Sequence, residues 1–235
     1  MSLIQRIKGV FFEPKAVFDG LAAKPAWIDA LVVLLVALIA FNLLVAPHLQ
    51  KDRLALIKDN AALKERLGED AYARMIEQAE RPSRGGRIVQ IFVTTPLFLV
   101  AGLLLQSLLL LIMGRLSSTQ GTYVQVLSAL VHASLADKLI GNAVRLALIL
   151  VRKSAAQVST GLALFFPNLE VTSTAYIVLS QVDFFQLWLF GLLAFGLAAV
   201  FKIGFRKALV LSYGLWLAKA LLNIGIGAIS MSFLR

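Results

Sequence analysis

Ile28-Asp29-Ala30-Leu31-Val32-Val33-Leu34-Leu35-Val36-Ala37-Leu38-Ile39-Ala40-Phe41-Asn42-Leu43-Leu44-Val45-Ala46 is a run of 19 residues whose one charge, Asp29, stands at its entry. The hydrocarbon core of a bilayer is about 30 Å thick and takes about 20 apolar residues of helix to cross, so this run reads as a membrane span. Pro47 follows it and is expected to stop it. The run is too long for the apolar core of a signal peptide and has no small-residue cleavage site after it, so it is expected to remain in the protein.

Working outward, the same reading repeats. Residues 88–113 are uncharged throughout and form a second span, with Thr94-Thr95-Pro96 inside it as an expected kink. Further spans fall at 123–151, 175–201 and 208–232. The chain of 235 residues is 59% hydrophobic and 15% charged, with a mean hydropathy of +0.83. A soluble domain carries about 25% charged residues, so this composition excludes one. The fold class is an all-α polytopic membrane protein with five transmembrane helices. The chain divides into an amphipathic N-terminal segment, 1–27, and a five-span membrane domain, 28–235, in which 48–87 is an extramembrane helical segment.

Leu3, Ile4, Ile7, Val10 and Phe11 recur at helical spacing around Arg6 and Lys8, the pattern of a helix lying on a membrane surface. Pro14 and Pro25 divide it. Segment 48–87 holds nine Lys/Arg and seven Asp/Glu with a rough helical period, and reads as a helix or helical hairpin outside the membrane that closes in the loop Arg81-Pro82-Ser83-Arg84-Gly85-Gly86. About 40 residues are too few for a good independent core.

The net charge is +10. The basic residues lie mostly between spans, where they set topology and meet headgroups. With the N-terminus inside, the inner segments hold Arg6, Lys8, Lys15, Lys24, Arg115, Lys202, Arg206 and Lys207, and the outer short segments hold Arg152, Lys153 and Arg235. Segment 48–87 adds nine basic residues to the outer side, nearly balanced by its acids, so the short segments decide and place the N-terminus in the cytoplasm; the chain reads as a protein of the cell inner membrane. Partners are the lipid bilayer and another membrane or peripheral protein. Nucleic acid is not expected, because no motif for it occurs. The small residues Gly191, Ala194, Gly196 and Ala198 allow close helix contact, including a homo-oligomer.

Cysteine is absent and the two histidines, His48 and His132, are far apart, so no metal site and no cofactor are expected. No nucleophile elbow and no phosphate-binding glycine loop occurs, and no enzyme is expected. The unusual residues are ionisable groups inside spans, each costing at least about 2.5–3.5 kcal/mol on insertion scales unless paired or hydrated. These are Asp137, Lys138 and Arg145 in the third span, Asp183 in the fourth and Lys219 in the fifth, with Asn142 and Gln186 beside them. Depth along the spans predicts contacts of Asp183 with Arg145 or Lys138, and of Asp137 with Lys219. Spacing i, i+4, i+7 puts Lys138, Asn142 and Arg145 on one helical face. The set reads either as a buried network fixing spans three to five, or as the lining of an ion or substrate path. His132 reads as a packed polar residue.

Two motifs carry a family resemblance. The first is Pro14, Phe18, Lys24, Pro25 and Trp27, just before the first span. The second is Asp183-Phe184-Phe185-Gln186-Leu187-Trp188, followed by Gly191 and Ala194-Phe195-Gly196-Leu197-Ala198. Together, in this order, they resemble the Yip-domain family, in its bacterial form. Phe185 and Trp188 hold the aromatic positions of the second motif. In the third span His132 and Ala136 stand where that family often has tyrosine and proline. The resemblance implies a five-span membrane protein whose eukaryotic counterparts act in vesicle traffic and contact Rab-type GTPases. It implies a non-enzymatic scaffold or adaptor; a transporter using the charges of spans three to five is the alternative.

Overall fold

The computed structural model describes residues 1–58, 61–81, 83–155, 158–171 and 173–232. Pro82 of the expected loop and Arg235 of the charge count lie outside these. Helices dominate the described residues, and the one β-like feature is an isolated antiparallel bridge between Gly161 and Asp183.

The N-terminus forms two short helices, α1 (Leu3–Phe12) and α2 (Pro14–Ala23). Ser2 and Gln5 close a capping box at the start of α1. Pro14 stands in the first turn of α2, where its missing N–H leaves no bond unmade. The amphipathic pattern predicts a helix lying on the membrane surface. Instead the two helices fold against each other and enter the bundle. Val10, Val17, Phe18 and Leu21 are buried, and Phe11 meets Trp188 edge-on at 5.4 Å. Protein covers only part of the apolar stripe: Val10 is buried, while Ile4 and the neighbouring Phe12 stay exposed. Gly196 makes the docking possible, since a Cβ there would stand 2.7 Å from the Ala129 methyl and 3.1 Å from the Phe18 ring.

α3 (Ile28–Lys58) runs straight through Pro47, correcting the expected stop and moving the start of the polar segment into a membrane helix. An interior proline costs about 3 kcal/mol. Contacts beyond it offset that cost. Gln50 Nε2 donates to Glu80 O at 3.0 Å, and Tyr72 Oη donates to Ile57 O at 3.2 Å. These tie the end of α3 to α5 (Glu69–Glu80), which follows α4 (Ala61–Leu67). The chain returns through α6 (Arg84–Val89), a π-helical turn (Gln90–Thr94) and α7 (Thr95–Arg115). The strain of Pro96 is thus taken up one turn upstream, as a widened turn.

Thr122 and Gln125 cap α8 (Tyr123–Ala133), and Gln125 Nε2 also donates to Ala22 O at 2.6 Å. α8 continues through a π-helical turn (Ala136–Gly141) into α9 (Asn142–Arg152). After a linker come α10 (Thr174–Gln181), α11 (Phe184–Phe201) and α12 (Phe205–Ser232). α11 is the central helix, packing against α2, α8 and α12. Among the described residues four helices are long and apolar enough to cross a membrane: Ile28–Lys58, Arg84–Arg115, Phe184–Phe201 and Phe205–Ser230. The expected third span is helical but interrupted, and the expected fourth span is two helices broken at Val182–Asp183, so the count of five is approximate.

Candidate functional site

Asp183 explains the break. Its backbone is extended and its Oδ1 accepts from the amides of Phe185 at 2.9 Å and Gln186 at 3.0 Å. It therefore caps the N-terminus of α11 instead of sitting within a continuous helix, where its carboxylate meets the unbonded first amides. The broken backbone is closed by the preceding linker. Leu162 N donates to Val182 O at 3.0 Å, and Phe184 N donates to Thr160 O at 3.2 Å. Gly161 has to be glycine here: a Cβ would stand 3.0 Å from Ser180 O and 3.1 Å from Val182 O.

Arg145, from α9, lies across this cap. Its Nη2 is 3.1 Å from Asp183 Oδ1 and 2.8 Å from Asp137 Oδ1, so one guanidinium bridges two carboxylates. Nη1 donates to Asn142 Oδ1 at 3.1 Å, and Nε donates to Thr160 Oγ1 at 3.0 Å. The Thr160 hydroxyl donates to Asp183 Oδ2. The guanidinium carbon stands 5.6 Å from the centre of the Phe185 ring, a cation–π distance. Arg145 is the residue suited to this place, because its planar fork offers five donors to several acceptors at once.

Asp137 sits in the π-helical turn with its side chain 1% exposed, and Lys138 Nζ pairs with it at 2.8 Å. The expected Asp137–Lys219 pair does not form, nor does an Asp183–Lys138 pair. The π turn adds a residue to the helix and turns Asp137 toward Arg145 and Lys138, leaving Lys219 to donate to Gln186 Oε1 at 2.8 Å. Thus Asp137, Lys138, Asn142, Arg145 and Asp183 form one connected cluster, and Gln186 and Lys219 a neighbouring pair. Thr160 and Gly161 complete the cluster and carried no signal in the sequence, since they stand in an aperiodic linker. Gly141 is a further member, because a Cβ there would stand 2.9 Å from the Phe185 ring.

The family-motif residues divide between packing and this cluster. Phe18 is buried against α11, Pro14 opens α2, and Lys24 and Pro25 make the bend into α3. Trp27 packs at the edge of the core. Asp183 and Phe185 belong to the cluster, and Trp188 meets the N-terminal hairpin. His132 is fully buried, with Nδ1 2.8 Å from Ser128 O. No group of three or more metal-binding side chains occurs among the described residues.

An all-helical bundle with apolar crossing helices and internally paired charges defines a multi-pass membrane protein. A family model, the Yip1 domain, matches residues 8–227, and the chain belongs to that family. No curated protein and no solved structure matches it.

Proposed function

We propose that this Yip-domain protein is a non-enzymatic membrane scaffold or adaptor, bacterial in type, of the inner membrane, serving membrane organisation or trafficking with its N-terminus in the cytoplasm. One observation carries this reading. The carboxylates of Asp137 and Asp183 are paired with Arg145 and Lys138, and Asp183 also caps α11, so they tie α9, the π-helical turn and α11 together. The partner-binding face is the polar hairpin formed by the end of α3 with α4 and α5, where Arg74 and Glu77 are exposed.

A photo-crosslinker placed at Arg74 or Glu77 in cells tests the adaptor role. One discrete crosslinked protein, identified by mass spectrometry and lost when the label moves to lipid-facing Val210, is the expected outcome. The structural role of the charges is tested by Asp183→Asn. A variant that keeps the wild-type melting temperature while abolishing cellular function would sink it in favour of transport.

A further inference from the structure

Counting charge around the cluster leaves one cation over. Asp137 and Asp183 face Lys138, Arg145 and Lys219, and the first two cations take both carboxylates. Lys219 forms no ion pair among the described residues and holds only the Gln186 amide oxygen. It lines a hollow of about 200 Å³ with Arg145, Ser180, Asp183, Gln186 and Asn223, where the Asp183 carboxylate is taken up by Arg145 and Asn223 Nδ2 donates one of its two hydrogens to Gln181 Oε1 at 3.1 Å. The Ser180 hydroxyl lies against this hollow, closed to solvent and without a hydrogen-bond partner. An ammonium in membrane surroundings without a counter-charge is costly, and a cavity holding an unused hydroxyl and an unpaired cation is suited to receive an anion.

Depth identifies which anion. Lys202, Arg206 and Lys207 mark one membrane boundary at the start of α12. Along the helix axis Lys219 lies about 21 Å beyond Phe205 and Asn223 about 27 Å beyond it, at about 1.5 Å per residue. The hydrocarbon core is about 30 Å thick and the helix runs on to Ser232, so the hollow lies between mid-bilayer and the opposite headgroup layer. Beside it α12 exposes Leu217, Leu221 and Leu222, which offer an apolar track toward the bilayer interior. The volume is below the roughly 300–1,000 Å³ of a site for a whole organic ligand and is suited to a single polar head.

We propose that this hollow binds one phosphate group, from a phospholipid headgroup or from free phosphate, with Lys219 as its charge partner and Ser180 and Asn223 as hydrogen-bond donors.

The test uses the full chain, stripped of lipid in a neutral detergent, with native mass spectrometry and thermal unfolding as readouts. The probes are dioctanoyl phosphatidylglycerol, dioctanoyl phosphatidylcholine and inorganic phosphate. Wild type and Lys219→Arg should each hold one phosphatidylglycerol and be stabilised by it. Lys219→Gln should bind it at least about tenfold more weakly, the loss of one hydrogen bond to a charged group. Phosphatidylcholine carries the same phosphate beside its own choline cation, so it should bind wild type more weakly than phosphatidylglycerol does and separate the variants less. Without any probe, Lys219→Gln should melt at or above the wild-type temperature, since the uncompensated charge is gone. Lys219-dependent stabilisation by inorganic phosphate, with none from phosphatidylglycerol, would keep the site and name a soluble anion as its source. If Lys219→Gln fails to fold, Asn223→Leu carries the same comparison. Equal affinity of wild type and Lys219→Gln for both anions, or no binding of either by wild type, overturns the proposal.

Discussion

Around Arg145 and around Glu80 the chain brings together the same chemistry, a cation beside a carboxylate at close to 3 Å, in opposite surroundings. Arg145 and its carboxylates are largely withdrawn from solvent, with side chains 20%, 1% and 11% exposed for Arg145, Asp137 and Asp183. Lys58 and Glu80, 2.9 Å apart where α3 meets α5, are about half exposed. Geometry does not separate them; the medium does. In water each partner has a replacement waiting, whereas in the bundle the loss of one leaves the others charged and stranded.

The sharpest way to break this contrast is Arg145→Met. Two buried carboxylates lose their shared partner, and unfolding in detergent should show a loss of about 3–5 kcal/mol, the cost of orphaning one side of a buried pair. Arg145→Lys should recover only part of it, because one ammonium cannot span both carboxylates and Thr160. A double-mutant cycle of Arg145→Met with Asp183→Asn sharpens it further. The two changes should be less than additive, with coupling of about 0.5–3 kcal/mol in the melting data; independent effects would show that the bridge is not one unit. Gly161→Ala comes next. Its methyl would press on two carbonyls, and the resulting overpacking should cost about 1–3 kcal/mol in the same assay. Lys58→Gln, at the exposed end, should change stability by no more than about 0–1 kcal/mol.

The smallest expected effect is a titration. Lys64 hydrogen-bonds the Glu69 carboxylate at 2.8 Å, and that bond together with its charge holds the carboxyl below its ordinary range. A lowered carboxyl favours the folded state above its unfolded value and loses that favour as pH falls through the folded one. In Lys64→Gln the Glu69 carboxyl resonance should titrate at higher pH than in wild type, followed by NMR. An unmoved titration would show that the pair does not persist in solution.

The membrane class, the helical content and the residues able to carry charge into the bundle are legible in the sequence, because run length and hydropathy are properties of the chain itself. Partner choice is not. It depends on the π-helical turn at Ala136–Gly141, which rotates Asp137 relative to an ideal helix, and no local pattern marks it. The break at Asp183 did leave a sign: Asp183-Phe184-Phe185-Gln186 is the Asp-x-x-Gln pattern of a helix start, and the apolar residues on both sides concealed it. Pro47 shows the reverse case. Its local chemistry argues for an end, and contacts with α5 made far away in sequence overrule it.

The N-terminal hairpin imposes an order on biogenesis. Phe18 rests against a surface that includes Ala129 and Gly196, so the first helices to be made can dock only after most of the chain exists. At about 5–20 residues per second of synthesis, that interval is on the order of 10–35 seconds. Through it Val10, Val17, Phe18 and Leu21 have no protein to cover them, and the nearest apolar host is the membrane surface. The amphipathic pattern of residues 1–27 is therefore suited to two hosts in succession: a bilayer while the protein is being made, and the bundle once it is complete.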